Sequence, residues 1–405
     1  MATPLTVDEV AALRAATPFA ADRIHLNHAG DSPSSGAVLS TQRTHLELES
    51  AIGGYEAANA MADAEGAVYD SIARLLGCQS HEIARHEHAT AAWNAAYWSV
   101  PMTPGQVVLT AEAAYGANAV AHLHAERTRG VTVEVIPSDE SGQLDLDALG
   151  ERLDRAPTGS GDGSIALIAL THVPTNGGLV NPAGEVGALA RAAGVPFLLD
   201  ACQSVGQLDL DVGALGCDLL SATGRKYLRG PRGTGFLFAA DAIVDRLVPA
   251  QPDHHGADWS ATRTYDLAPG ARRFEYWEYN HAAWLGLGTA VDEALTIGLD
   301  RIEATVDERA TTLRSRLADV GLPVHDLGRR RCGIVTTTVP GEAAADTKRR
   351  LAEASTPINV SVTTPDSTRW DFERRGLDAM VRVSVHATTT DEEIDRAVAV
   401  LSGRR

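Results

Sequence analysis

Lysine occurs only twice in this chain, as Lys226 and Lys348, and every other basic residue is arginine. A lysine amine becomes a nucleophile once desolvation or a nearby cation depresses its pKa, whereas a guanidinium stays protonated and cannot form a Schiff base. Lys226 lies in Ser221-Ala-Thr223-Gly-Arg225-Lys226-Tyr-Leu-Arg229, with Arg225 and Arg229 as local cations, and a glycine-rich turn follows to Gly235. Lys348 stands in Asp346-Thr-Lys-Arg-Arg350, which reads as an exposed helix face. The reactive amine is therefore read as Lys226. Upstream, the apolar run 195–199 ends abruptly in Asp200, and Gln203 follows three residues later.

These residues need elements that bring them together. Short apolar runs at 107–110, 131–136, 165–170, 197–199 and 235–238 read as strands buried on both faces, with a further short strand at 219–221. Amphipathic stretches at 116–128 and 182–193 read as the helices between them, and this alternation predicts an α/β domain around a mostly parallel central sheet. In open sheets of this kind, ligands bind at the carboxyl ends of the strands, where Asp200 and Lys226 would both fall. Beyond about residue 282 the pattern changes. One long helix is expected at 293–320, strands at 333–339 and 380–385, and a closing helix at 391–401. The expected division is a large domain over 20–285 and a smaller α+β domain over 286–405, completed by residues 1–19 with a helix near 7–16.

An Asp and a Lys at neighbouring strand ends suit pyridoxal 5'-phosphate (PLP). The lysine holds the aldehyde as an imine, and the carboxylate keeps the ring nitrogen protonated so that the ring accepts electrons. A nicotinamide site fits less well, because Gly230–Gly235 is not a G-x-G-x-x-G that opens a helix after a first strand.

Composition narrows the partners. With 35 Lys+Arg against 53 Asp+Glu, the net charge of -18 repels phosphate backbones and argues against nucleic acid. At 405 residues and 44% hydrophobic, the chain is long and apolar enough to bury an ordinary core. Cys78, Cys202, Cys217 and Cys332 are scattered without metal-ligand or disulfide-scaffold spacing, so reduced thiols are expected and no metal is. The first twenty residues have no continuous apolar core, and no apolar run approaches the ~20 residues of a membrane span. A cytoplasmic protein without membrane contact is expected.

The window from 195 to 235 resembles the class V aminotransferase group of fold-type-I PLP enzymes, which includes cysteine desulfurases, isopenicillin-epimerase-like proteins and C–S lyases. The resemblance runs from about Ile24 to the C-terminus and rests on strand–Asp–x–x–Gln followed by Thr–x–x–Lys and Gly–x–Gly. It implies PLP as cofactor, Lys226 as the Schiff-base lysine, Asp200 as the pyridinium partner and Gln203 on the ring oxygen. It also implies phosphate contacts from Thr223 and Arg225, and from Ala89 and Thr90 in His88-Ala-Thr-Ala-Ala-Trp-Asn94, which opens a helix. Thr175 and Asn176 fall where the family contacts the ring oxygen or the substrate. Arg382 matches the arginine that clamps the substrate α-carboxylate, a task suited to its two-pronged fork.

The chain departs from the pattern at Ala113, where relatives stack a His on the ring; Tyr115 or Trp93 are the candidates to cover it instead. At 273–278, where many relatives present Ser-Gly-Thr to the neighbouring subunit, it has Arg-Phe-Glu-Tyr-Trp-Glu, leaving Tyr276 as the candidate contact. A homodimer is implied.

The shared electron sink does not choose the reaction. The segment 358–365 lacks the mobile cysteine a desulfurase needs, which argues against that activity, and Cys332 at a strand start reads as structural. Gly53-Gly54-Tyr55, His172-Val-Pro-Thr175 and 272–278 are similar to the C–S lyases of ergothioneine biosynthesis and to lincosamide-pathway enzymes. The expected activity is therefore β-elimination from an S-conjugated cysteine, releasing thiol, pyruvate and ammonia, with Lys226 removing the α-proton. Tyr55, His28, His254 and His255 are candidates for the substrate pocket. The alternatives are decarboxylation with oxidative deamination, another class V reaction such as transamination or epimerisation, and a catalytically silent binding subunit.

Overall fold

Along the central strands, successive side chains enter two different cores. Ile168 and Leu170 join one cluster while Leu167 and Ala169 join the other, and Phe197 and Leu199 likewise part from Leu198. This period of two places hydrophobic layers on both faces of a sheet, so its strands read as continuous apolar runs. The computed structural model describes residues 2–18 and 22–403.

The strands in chain order are β1 (Ile24–His25), β2 (Ile83–His86), β3 (Val107–Ala111), β4 (Thr132–Ile136), β5 (Ile165–Thr171), β6 (Phe197–Asp200), β7 (Leu219–Thr223) and β8 (Gly235–Ala239). Seven of them form the central sheet in the order β2-β8-β7-β6-β5-β3-β4. The pairs from β4 through β7 are parallel, and β8 runs antiparallel to both of its neighbours. The α/β reading with a mostly parallel sheet holds. One correction concerns β4: it is an edge strand, with Thr132 exposed and its next three residues half-buried, where a fully buried strand was expected.

The rest of the chain adds an exposed hairpin, β9 (Ala257–Ala261) with β10 (Thr264–Leu267), and a three-stranded antiparallel sheet. That sheet orders β11 (Ile334–Thr337), β14 (Met380–Ser384) and β13 (Ser361–Thr363), while β12 (Ile358–Asn359) pairs in parallel with β1. The single helix expected at 293–320 is two, His281–Ile297 and Leu299–Asp319. Gly298 separates them at φ +93°, a conformation that ends a right-handed helix and that glycine adopts without steric cost. Helices Val7–Ala15 and Asp391–Leu401 form where they are expected, each started by a threonine capping box. The expected domain boundary at residues 19 and 20 falls outside the described residues.

Candidate active site

Parallel pairing brings the ends of three strands into line. Thr171 stands beside Asp200, and Asp200 beside Ser221, at the carboxyl ends of β5, β6 and β7. Over these ends lies a partly open cavity. Ala89, Thr90, Tyr115, Thr175, Asp200, Gln203, Thr223, Arg225 and Lys226 all line it, nine of the ten residues expected to contact a cofactor.

Two glycines make the close approaches. Gly235 pairs with Thr223, and a Cβ there would stand 2.8 Å from the His88 carbonyl carbon and 3.0 Å from the Ala89 nitrogen. Only a glycine lets the start of helix Ala89–Ser99 settle onto the sheet end and aim its N-terminus at the cavity. The cap is His88, whose Nδ1 accepts from the Ala91 N–H at 3.0 Å. Gly206, at φ +89°, would clash with the Tyr227 and Leu228 backbone at 2.6 Å if it carried a Cβ. That contact seats the Asp200–Gln203 turn against the Lys226 segment.

Asp200 is buried and held from two sides. Its Oδ2 accepts from Asn118 Nδ2 at 2.7 Å, and its Oδ1 from the Cys202 N–H at 3.0 Å. Lys226 is half-buried in the cavity wall, and its pKa is lowered to about 8. Desolvation is the main cause, aided by Arg225 and Arg382 and opposed by Cys202 and Asp200. Gln203 donates to the Ala29 carbonyl at 3.0 Å and to Thr175 Oγ1 at 3.3 Å, which leaves its buried Oε1 without a partner. Arg225 donates to the Gly30 carbonyl, and Thr223 Oγ1 to the Thr234 carbonyl at 3.2 Å.

Arg382, on β14, is buried behind Thr175. Its Nη1 bonds the Thr175 hydroxyl, and the Thr175 carbonyl at 3.1 Å; its Nη2 reaches Asn27 Oδ1 at 3.4 Å, and its Nε has no partner. Burial pulls its pKa down to about 10, and it forms no ion pair among the described residues. A buried cation facing only neutral oxygens is suited to receive a carboxylate.

Other candidates lie elsewhere. Asn176 is buried outside the cavity, donating to Asp371 Oδ2 at 2.7 Å. His28 is not in the cavity either: it is buried in a cluster with His25 and His386, bonded to Ser32 Oγ at 2.9 Å, because β1 pairs with β12 and draws this segment inward. Tyr55 is 73% exposed on the short helix Gly54–Ala60, away from the cavity. His255 contacts Glu275, His254 stacks on Trp277, and the Tyr276 hydroxyl donates to Gln251 at 3.3 Å. Of the two aromatics considered for covering the site, Tyr115 lines it, whereas Trp93 is core, stacked on Tyr97 and edge-on to His122.

Sequence reading missed Asn118, His88 and Cys202 at this site. For Asn118 the available signal was a polar residue on the buried face of an amphipathic helix; its carboxylate partner is 82 positions away.

The aminotransferase class-V family model matches residues 24–397. A probable cysteine desulfurase of Methanothermobacter thermautotrophicus is 26% identical over 289 residues, 71% of this chain and 70% of its own length. A probable hercynylcysteine sulfoxide lyase of Mycobacterium tuberculosis is 31% identical over 309 residues, 76% of this chain and 72% of its own. In three dimensions, the apo cysteine desulfurase of Thermococcus onnurineus superposes with a TM-score of 0.88 at 21% identity, covering 100% of this chain and 99% of that one.

Proposed function

The chain belongs to the aminotransferase class-V family, and from that premise we propose that it is a PLP-dependent carbon–sulfur lyase that converts an S-conjugated cysteine and water to a thiol, pyruvate and ammonia. The observation that carries this reading is the opening of Lys226 and Asp200 onto one cavity, with the lysine's pKa lowered to about 8. When bound there, PLP supplies an aldehyde for the amine and a ring that accepts electrons from the substrate Cα.

The chain's own groups divide the work. The Asp200 carboxylate, steadied by Asn118 and the Cys202 N–H, would hold the ring nitrogen's proton. Gln203, whose amide now donates to Thr175, would turn that amide to the ring oxygen. Ala89 and Thr90 at the helix start, with Thr223 and Arg225, hold the phosphate. Arg382 turns its fork from Thr175 to the substrate carboxylate. Lys226 Nζ then takes the Cα proton, a role for which a pKa near the working pH is favourable. Loss of the β-sulfur as thiol and addition of water complete the balance.

The thiols favour this outcome over sulfur acceptance by the enzyme. Burial pushes Cys78 and Cys332 up to about 12 and Cys202 and Cys217 well above the ordinary range, so no described cysteine carries an accessible thiolate. Exposed Tyr55, Trp259, Tyr265 and Trp277 support a homodimer. The three-stranded sheet with β11, β13 and β14 supports a smaller domain over 1–19 and 286–405 beside a PLP-binding domain over 20–285.

The test is thiol release from a panel of cysteine S-conjugates. Wild type should release thiol from at least one conjugate, and Lys226→Ala should release none and lose the visible colour of the cofactor. Release of carbon dioxide, ammonia and an aldehyde that keeps the sulfur, in place of thiol and pyruvate, would favour decarboxylating deamination.

A further inference from the structure

Away from the cavity, three helices bring together two histidines and a glutamate. His45 comes from helix Gly36–Ile52, Glu65 from Ala62–Leu76, and His281 is the first residue of His281–Ile297. One ligand atom of each lies within 4.8 Å of the others. Glu65 Oε1 is 2.6 Å from His281 Nδ1, Glu65 Oε2 accepts from the Tyr279 hydroxyl, and the two imidazoles are near-parallel with centroids 6.0 Å apart.

His45 is the unexplained member. It is only 2% exposed, and neither of its ring nitrogens makes a hydrogen bond. Glu49 Oε1 stands 3.0 Å from Nε2, but not in line for one. A buried imidazole with both nitrogens unsatisfied is costly, and native proteins rarely leave one without a reason.

We propose that His45, Glu65 and His281 form a binding site for a divalent transition-metal ion, with Zn²⁺ as the best match to two imidazoles and a carboxylate. Zn²⁺ takes His nitrogens at about 2.0–2.1 Å and carboxylate oxygens at about 2.0–2.2 Å in tetrahedral sites. Ligand atoms already within 4.8 Å reach that geometry by side-chain rotation, with Glu49 or water as the fourth donor. Glu49 and Glu65 would together offset the charge of the ion. The nearby guanidinium of Arg85, stacked over Tyr279, is matched by Glu275 at 3.5 Å. His281 is partly exposed, which leaves a route in. The ion would tie the two helices on either side of Gly54–Ala60, the segment that carries Tyr55, to helix His281–Ile297. The site stands independently of the lyase reading.

The test uses PLP-loaded protein treated with a chelator, dialysed, and titrated with ZnCl₂ or CoCl₂ alone. Wild type should retain one Zn²⁺ per chain by elemental analysis and should give the visible bands of four-coordinate Co²⁺. His45→Ala and Glu65→Gln should each weaken Zn²⁺ binding by more than about tenfold, the loss that follows removal of even an outer-shell partner, while PLP content stays unchanged. Retention unaltered in both variants would mark the metal as adventitious and overturn the proposal. So would a wild type that retains none or gives only octahedral Co²⁺ spectra, and this arm needs no variant to fold.

Discussion

Replacing Lys226 by Met should make the apoenzyme more stable, because the native fold holds this amine where its charge is disfavoured. Its pKa falls from the usual 10.5 to about 8, and at 1.36 kcal/mol per unit this corresponds to about 3 kcal/mol. The sign follows from proton counting. Below pH 8 the amine is charged in both states, so the native state carries the full penalty. Between about pH 8 and 10.5 the unfolded chain binds more protons than the folded one, so wild-type stability rises with pH and the penalty fades. Lys226→Met, similar in length and uncharged, removes the penalty at every pH. Urea denaturation of both apoenzymes at pH 7 and pH 10.5 gives the comparison, in which the other titrating groups are common to both proteins and cancel. The variant should be up to about 3 kcal/mol more stable at pH 7, with the gap closing toward pH 10.5. A gap that is absent at pH 7, or one that does not change with pH, would refute the claim that the fold destabilises the lysine's charge.

Three further outcomes follow from the cavity. Asn118→Ala deletes the 2.7 Å bond to Asp200 and should weaken PLP binding by about 10- to 100-fold in a spectroscopic titration, the range for a hydrogen bond to a charged group. Arg382→Ala should lower kcat/KM for a cysteine S-conjugate by at least about tenfold in a thiol-release assay, while binding of a matched conjugate that lacks the carboxylate should be unaffected. Gly235→Ala forces a Cβ to 2.8 Å from the His88 carbonyl carbon and should cost about 1–3 kcal/mol of stability in denaturant melts, with weaker capture of PLP because the helix start is displaced.

The fold was legible where one local rule decided the outcome. Continuous apolar runs identified β3, β5, β6 and β8, and the scarcity of lysine pointed to Lys226. Asp200 followed because strand ends in a parallel sheet must meet on one side, whereas Gln203 and Thr223 were indicated only by the family resemblance. What the sequence concealed depends on distant partners. A run such as 131–136 does not announce which strand will lie at the edge, and Gly298 breaks a helix whose apolar pattern continues through it. His28 looked available for substrate, but the parallel pairing of β1 with β12, more than 300 residues on, buries its segment among other histidines. Asn118 with Asp200 and Thr175 with Arg382 are contacts across 82 and 207 positions, set by topology and not by spacing.

Under the proposed lyase activity, this cavity eliminates a thiol from a cysteine conjugate and keeps no sulfur itself. The direct measurement is a mass-spectrometric balance of wild-type enzyme incubated with an S-conjugated cysteine. Thiol, pyruvate and ammonia are expected in equal amounts, with no sulfur added to any of the four cysteines. Alanine in place of pyruvate, with the conjugate's thiol portion held as a mixed disulfide on Cys202 or any other cysteine, would contradict it.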